Sequence, residues 1–232
     1  MTKPIIGIVE YPNEEDDKNL IPLVKSVLAA GGVPMGIFMS STANIENESL
    51  SDIEDLNNYE KENIIDFIDA CDAIIKPDAL KLFSIDRFIY GYILEKNIPF
   101  LGIGSAIKIM ASHRKNAIQS IEIEENKLNH KVDDYNHVHE VNLLPGKLKK
   151  ALNKETIMVS SNHSYRIPNG GINILSARSE DGVIEAIENR DCDFNIGLQW
   201  HPELMPEDEN SKIIFKTFVD AADNYSLKKI KK

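Results

Sequence analysis

The chain has 232 residues, 42% of them hydrophobic, a formal net charge of −11 and two cysteines. The apolar share is ample for a packed core, no apolar run reaches the roughly 18 residues of a membrane span, and two thiols in so long a chain make no disulfide framework. So acidic a balance argues against nucleic acid as a partner, since phosphate binding needs basic patches.

Ile5 to Val9 is an apolar run between Pro4 and the polar stretch Tyr11 to Asn19, the pattern of a buried parallel strand. Met1 to Pro4 lead straight into it without the apolar stretch of a signal peptide, so a cytoplasmic location is expected. Ile21, Val24, Val27 and Leu28 recur at helical spacing, and Gly31-Gly32 ends that helix. Val33 to Met39 is the second strand, and Ser40 to Asn58 reads as a long polar loop. Ile64, Ile65, Phe67 and Ile68 mark a helix, Asp72 to Lys76 the third strand, Ile85 to Leu94 a helix and Phe100 to Ile103 the fourth strand. Strand and helix alternate, which predicts a parallel sheet with helices on both faces. The second half is richer in strands, expected at 117–123, 137–143, 172–177, 183–187 and 195–200, before a last helix over 208–225. The acidic run Glu14 to Asp17 and the basic end Lys228 to Lys232 read as solvated segments. Nothing reads as a repeat or an interdomain linker, so one domain over 1–232 is expected.

The fourth strand runs into Gly102-Ile103-Gly104-Ser105-Ala106, and a helical pattern follows. Strand, sharp glycine turn and helix is the shape of a nucleophile elbow. Far down the chain, Gly197-Leu198-Gln199-Trp200-His201-Pro202-Glu203 supplies a histidine and a carboxylate two residues apart. They stand just past a strand, where ligands bind in open α/β sheets, and such a pair can serve as base and orienting acid. The elbow apex is Gly104, which has no side chain to attack with; its neighbour Ser105 is the alternative nucleophile. Cys71 falls at the N-terminal edge of the sheet and Cys192 at the far end of the last strand, so both read as inert thiols. His137 and His139 share a strand face with Glu140 nearby. With no third ligand placed they read as solvent-facing, and neither a metal nor a cofactor is expected.

Together these motifs resemble the class I glutamine amidotransferase-like family, in its γ-glutamyl-γ-aminobutyrate hydrolase branch. The resemblance rests on Pro4 to Ile8, Ala29 to Pro34, Val159 to His163, the hairpin Ser176 to Glu188 and, above all, Gly197 to Glu203. It implies a flavodoxin-like α/β fold: a mostly parallel central sheet with helices on both faces, plus an antiparallel strand-rich addition. It also implies His201 as base, Glu203 as its orienter, and Gly104 where the family carries its nucleophilic cysteine. Asp78 and Ala79 fall on the oxyanion loop, and Ser105, Ser161, His163 and Tyr165 join them around the substrate. Three departures fall on the chemistry. The family elbow Gly-Ile-Cys-Arg-Gly is Gly102-Ile103-Gly104-Ser105-Ala106 here, its Pro-Gly-Gly loop is Pro77-Asp78-Ala79, and its pocket His-Gln is Ser164-Tyr165. The loop after Ala79 is also short, about Leu80 to Ser84. A carboxylate at Asp78 opposes the negative charge that acyl transfer develops. The expectation is a γ-glutamyl hydrolase-like protein that has lost cysteine-dependent hydrolysis. It would bind a small amine, a γ-glutamyl or amino-acid-like ligand, or a protein partner. The alternative is an active amidase using Ser105, or an unrecognised nucleophile, with His201 and Glu203.

Overall fold

The computed structural model describes residues 2–10, 20–38, 58–79, 82, 84–113, 121–122, 128–132 and 139–230. The expected loops at 11–19 and 40–57, most of that at 80–84, much of the strand expected at 117–123, His137 and the last two residues lie outside them.

The first half alternates as its periodicity predicts. Strands β1 (Ile5–Glu10), β2 (Val33–Phe38), β3 (Ala73–Lys76) and β4 (Phe100–Ile103) are separated by helices α1 (Leu20–Ala30), α2 (Asn58–Asp69) and α3 (Ser84–Lys96), and α4 (Ala106–Ser112) follows β4. Then come β5 (Ile121–Glu122), β6 (His139–Leu143), α5 (Lys147–Leu152), β7 (Thr156–Val159), β8 (Tyr165–Arg166), β9 (Ile174–Ser179), β10 (Ile184–Glu188) and β11 (Asn195–Leu198). A 3-10 turn at Pro202–Leu204 leads into α6 (Glu209–Ile230), which runs past Tyr225, where its apolar face fades. Helix α5 and strands β7 and β8 are additions to the expected elements; all are too short for a periodicity to show.

Nine strands form one sheet in the order β2-β1-β3-β4-β11-β10-β9-β6-β7. Pairings from β2 through β11 are parallel, and those from β11 to β7 are antiparallel. The strand-rich addition therefore continues the same sheet, and β11 is the seam. The part of the predicted 117–123 strand that is described, β5, pairs with β8 in a separate two-stranded sheet.

Because successive strand residues face opposite ways, Ile74 and Ile75 serve different cores. On one face Ile75, Leu101, Ile103 and Leu198 pack with Leu23 and Val27 of α1, Leu148 of α5 and Phe215 and Phe218 of α6. On the other, Ile74, Phe100 and Ile187 pack with Ile68 of α2, Ile89 and Ile93 of α3 and Ile107 and Met110 of α4. Parallel strands covered on both faces are mostly apolar; β3 and β4 are buried at all four positions, and the one charged residue among them, Lys76 at the end of β3, lies 3.8 Å from the buried Asp86 carboxylate. None of the described helices is long and apolar enough to cross a membrane.

Candidate functional site

The elbow forms between β4 and α4. Gly104 stands there at φ +58°, a left-handed backbone that L side chains rarely adopt, and its N–H donates to Leu198 O of β11 at 2.8 Å. That bond ties the elbow to the strand that delivers the histidine.

Past β11, the Gln199 N–H donates to Glu185 O at 2.7 Å, and the Ser160 hydroxyl clamps His201 by bridging its N–H (3.3 Å) and its carbonyl (3.2 Å). His201 Nδ1 lies 2.8 Å from Glu203 Oε1, with the carboxylate 1% exposed. Acceptance by that carboxylate puts the proton on Nδ1 and leaves Nε2 facing outward.

What Nε2 faces is Asp78, whose Oδ2 is 3.8 Å away. Asp78 follows β3 and reaches over the elbow. A Cβ built on Gly104 would stand 2.5 Å from Asp78 Cγ and 2.7 Å from its Cβ. The apex is therefore filled, by a neighbour's carboxylate. Its other oxygen, Oδ1, accepts the Ser105 N–H at 2.7 Å, while the Ser105 hydroxyl accepts the Ala79 N–H at 2.9 Å. The Asp78 carboxylate does not simply oppose an anion site; it is itself the anion that the Ser105 N–H holds.

A cleft of about 260 Å³ opens over this arrangement, lined by Asp78, Ala79, Gly104, Ser105, Asn162, His163, Tyr165 and His201, among others. Of the sequence candidates, Ser161 does not line it: the side chain is buried and its hydroxyl donates to His130 O at 2.8 Å. Glu203 stands behind His201. Asn162 and Gln199, which stand inside the two motif segments without being singled out, also line the cleft, as does Lys108, which no motif had marked. Lys108 lies one turn into α4, with its ammonium 5.5 Å from the Tyr165 ring centroid. A roomier cavity of about 750 Å³ lies along α1 and α6, beside Lys25, Ala29 and Phe215. Its charged lining is Lys25, Lys216 and the exposed Glu207–Lys212 ion pair.

Both thiols are buried. Burial pushes the Cys71 thiol up to about 12, against a smaller pull from Lys229, and raises that of Cys192. Neither is a nucleophile at neutral pH. His139, expected at the surface, is instead buried. Its ring turns to Glu185, a fully buried carboxylate on β10, while the adjacent Glu140 is exposed.

Residues 4–203 match the peptidase C26 family. The γ-glutamyl-γ-aminobutyrate hydrolase of Escherichia coli O157:H7 is 26% identical across 99% of this chain and 97% of its own length. Among solved structures, the glutaminase domain of Trypanosoma brucei CTPS with bound acivicin superposes with a TM-score of 0.69 at 14% identity, over 96% of this chain and 94% of that one. A glutamine amidotransferase from Thermotoga maritima gives 0.56 at 11% identity, over 96% and 97%. The mixed sheet is thus the class I glutamine amidotransferase fold.

Proposed function

We propose that this chain, which belongs to the peptidase C26 family, is a glutamine amidotransferase-like, γ-glutamyl hydrolase-like protein that has exchanged hydrolysis for binding. One observation carries the reading: side-chain oxygens of the chain itself take up the donors that acyl transfer would need. An elbow works by presenting a nucleophile to a base and the next backbone N–H to the developing oxyanion. Here Gly104 presents nothing, Asp78 holds the Ser105 N–H, and Ser105 holds the Ala79 N–H. A substrate carbonyl entering the cleft meets neither an attacking atom nor a free donor at these two positions. His201, oriented by Glu203, then faces Asp78 instead of a nucleophile.

The same groups suit a small zwitterion. Asp78, its side chain 35% exposed, offers a carboxylate to an ammonium, and Lys108, in the same cleft beside the Tyr165 ring, is a cation for a carboxylate. An amino-acid-like or γ-glutamyl ligand is the chemistry that pair selects. A cytoplasmic location belongs to this reading, supported by two unpaired thiols.

The test pairs binding with turnover. Thermal shifts and calorimetry are run with amino acids, γ-glutamyl amides and simple amines, beside hydrolysis assays on γ-glutamyl-γ-aminobutyrate and glutamine. The expected result is a ligand that raises Tm, an effect lost in Asp78→Ala, with no hydrolysis. Hydrolysis abolished by Ser105→Ala establishes the alternative, an amidase working through Ser105.

A further inference from the structure

Behind the cleft wall, three imidazoles converge on one carboxylate. His130 Nδ1 lies 3.1 Å and His139 Nε2 3.7 Å from Glu185 Oε1, and His163 Nε2 lies 3.6 Å from Glu185 Oε2. The side chains are 1%, 3%, 9% and 0% exposed, in the order His130, His139, His163 and Glu185. None of these three nitrogens or two oxygens makes a hydrogen bond within the described structure. His130 Nδ1 and Glu185 Oε1 are 3.1 Å apart, yet they do not meet in the geometry of a hydrogen bond. Buried polar atoms without partners are rare and costly, and five at one point require a cause.

The outward nitrogens supply it. His130 Nε2 faces Asp181 Oδ2 at 3.1 Å, His139 Nδ1 faces Glu140 O at 3.3 Å, and His163 Nδ1 faces Tyr165 O at 3.1 Å. All three outward partners are acceptors, so each outward nitrogen is an N–H donor. Each neutral ring then turns an unprotonated lone pair inward, onto a carboxylate that can only accept. Four electron-rich groups facing one another, dry and unbonded, are stable only around a cation.

We propose that His130, His139 and Glu185 bind a divalent transition-metal ion, zinc by preference, with His163 as the nearest fourth donor. The ligand atoms of the first three lie within 4.8 Å of one another. Bonds of about 2.0–2.2 Å in a tetrahedron separate ligand atoms by roughly 3.3–3.6 Å, and the observed approaches of 3.1 and 3.7 Å bracket that span. Imidazole nitrogens with one carboxylate suit zinc over calcium or magnesium, which prefer oxygen. The N–H of each ring held by a carboxylate or carbonyl is the outer arrangement that fixes metal-binding histidines. Charge closes as well, because Glu185 and Asp181 together offset a dication. Four protein donors leave no open position, so the ion is structural. It pins His163, and with it the cleft wall Asn162 to Tyr165, to β10 and β6. This inference does not depend on the loss of hydrolysis.

The test titrates chelator-dialysed wild-type protein with Co²⁺, followed by Zn²⁺. Expected is one Co²⁺ per chain with the intense visible bands of a four-coordinate site, bleached by one equivalent of Zn²⁺. Glu185→Gln should lose stoichiometric uptake. Asp181→Asn, outside the ligand set and tolerable to the fold, should weaken the metal about 10–100-fold. Absence of stoichiometric Co²⁺ and Zn²⁺ uptake by the wild type overturns the proposal and leaves shared protons as the cation. Uptake that Asp181→Asn leaves unchanged overturns it too, since the ion then sits elsewhere.

Discussion

Asp78 and Ser105 are tied to each other twice, the carboxylate of one taking the other's N–H at 2.7 Å and the hydroxyl of the second taking the N–H after the first at 2.9 Å. The loop after β3 is thereby locked onto the start of α4 with Gly104 beneath it. Substitutions on either side of that lock should report each other.

Gly104→Cys should destabilise the fold by about 1–3 kcal/mol from its left-handed backbone alone, with more from the collision with Asp78. Asp78→Gly in the same chain removes the collision. The double variant should therefore be more stable than the sum of the single effects predicts, by about 0.5–3 kcal/mol. Denaturant midpoints of the four proteins give the coupling directly. Strict additivity would mean that Asp78 does not occupy the space above Gly104.

Installing the thiol should not install the reaction. Gly104→Cys leaves Asp78 on the Ser105 N–H, and one lost oxyanion donor costs roughly 10²–10³ in rate. Gly104→Cys with Asp78→Gly and Ala79→Gly should exceed the single variant by at least about that factor. Initial rates on γ-glutamyl-γ-aminobutyrate and glutamine decide it. A competent single variant would show that the donors are free after all.

Cys71 sets an alkaline limit on stability. Its thiol ordinarily loses its proton near 9.0, and burial in the folded chain delays this to about 12. Between those values the folded state holds a proton that the unfolded state has released. Stability from this group is thus whole below pH 9 and falls as pH rises, by at most about 1.4 kcal/mol per pH unit. Urea midpoints at pH 8, 9 and 10 should fall less steeply in Cys71→Ala than in the wild type. The same thiol should resist a disulfide reagent until the protein unfolds. Parallel slopes in the two proteins would refute the assignment.

The Glu188 carboxylate, 1% exposed, receives the N–H groups of Lys147 and Leu148 at 2.7 and 3.1 Å. It satisfies two donors at the start of α5 that have no partner within the helix. Glu188→Ala should cost about 1–3 kcal/mol for the donors left buried, read as a lower urea midpoint with the cleft unaffected. An unchanged midpoint would show that water replaces the carboxylate.

What could be read from sequence was what is local. The elbow and the Gly197 to Glu203 segment are contiguous motifs, and each lands where its pattern implies. Asp78 after Pro77 is an ordinary turn signal; nothing local shows its carboxylate crossing to the elbow, because that contact depends on β3 lying beside β4. His130 and Glu185 are likewise far apart along the chain and meet only through the path from the Lys131–Asn162 bridge to β10. The last turns of α6 escaped because Lys228 to Lys232 read as a solvated end. Lys229 in fact donates to Asp69 O at 2.7 Å and Cys71 O at 2.9 Å, anchoring the helix across the sheet edge.

The place of β11 bears on how the molecule is made. It is the last strand in the chain, yet it lies between β4 and β10 and joins the parallel half of the sheet to the antiparallel half. During synthesis β4 emerges long before it and β10 just ahead of it, and until it arrives each has one edge unpaired, a template for pairing with another chain. Insertion of Asn195 to Leu198 closes both edges in one event and brings His201 to the elbow. Assembly of the cleft and protection from aggregation are thus a single late step, and a chain interrupted before Asn195 has neither.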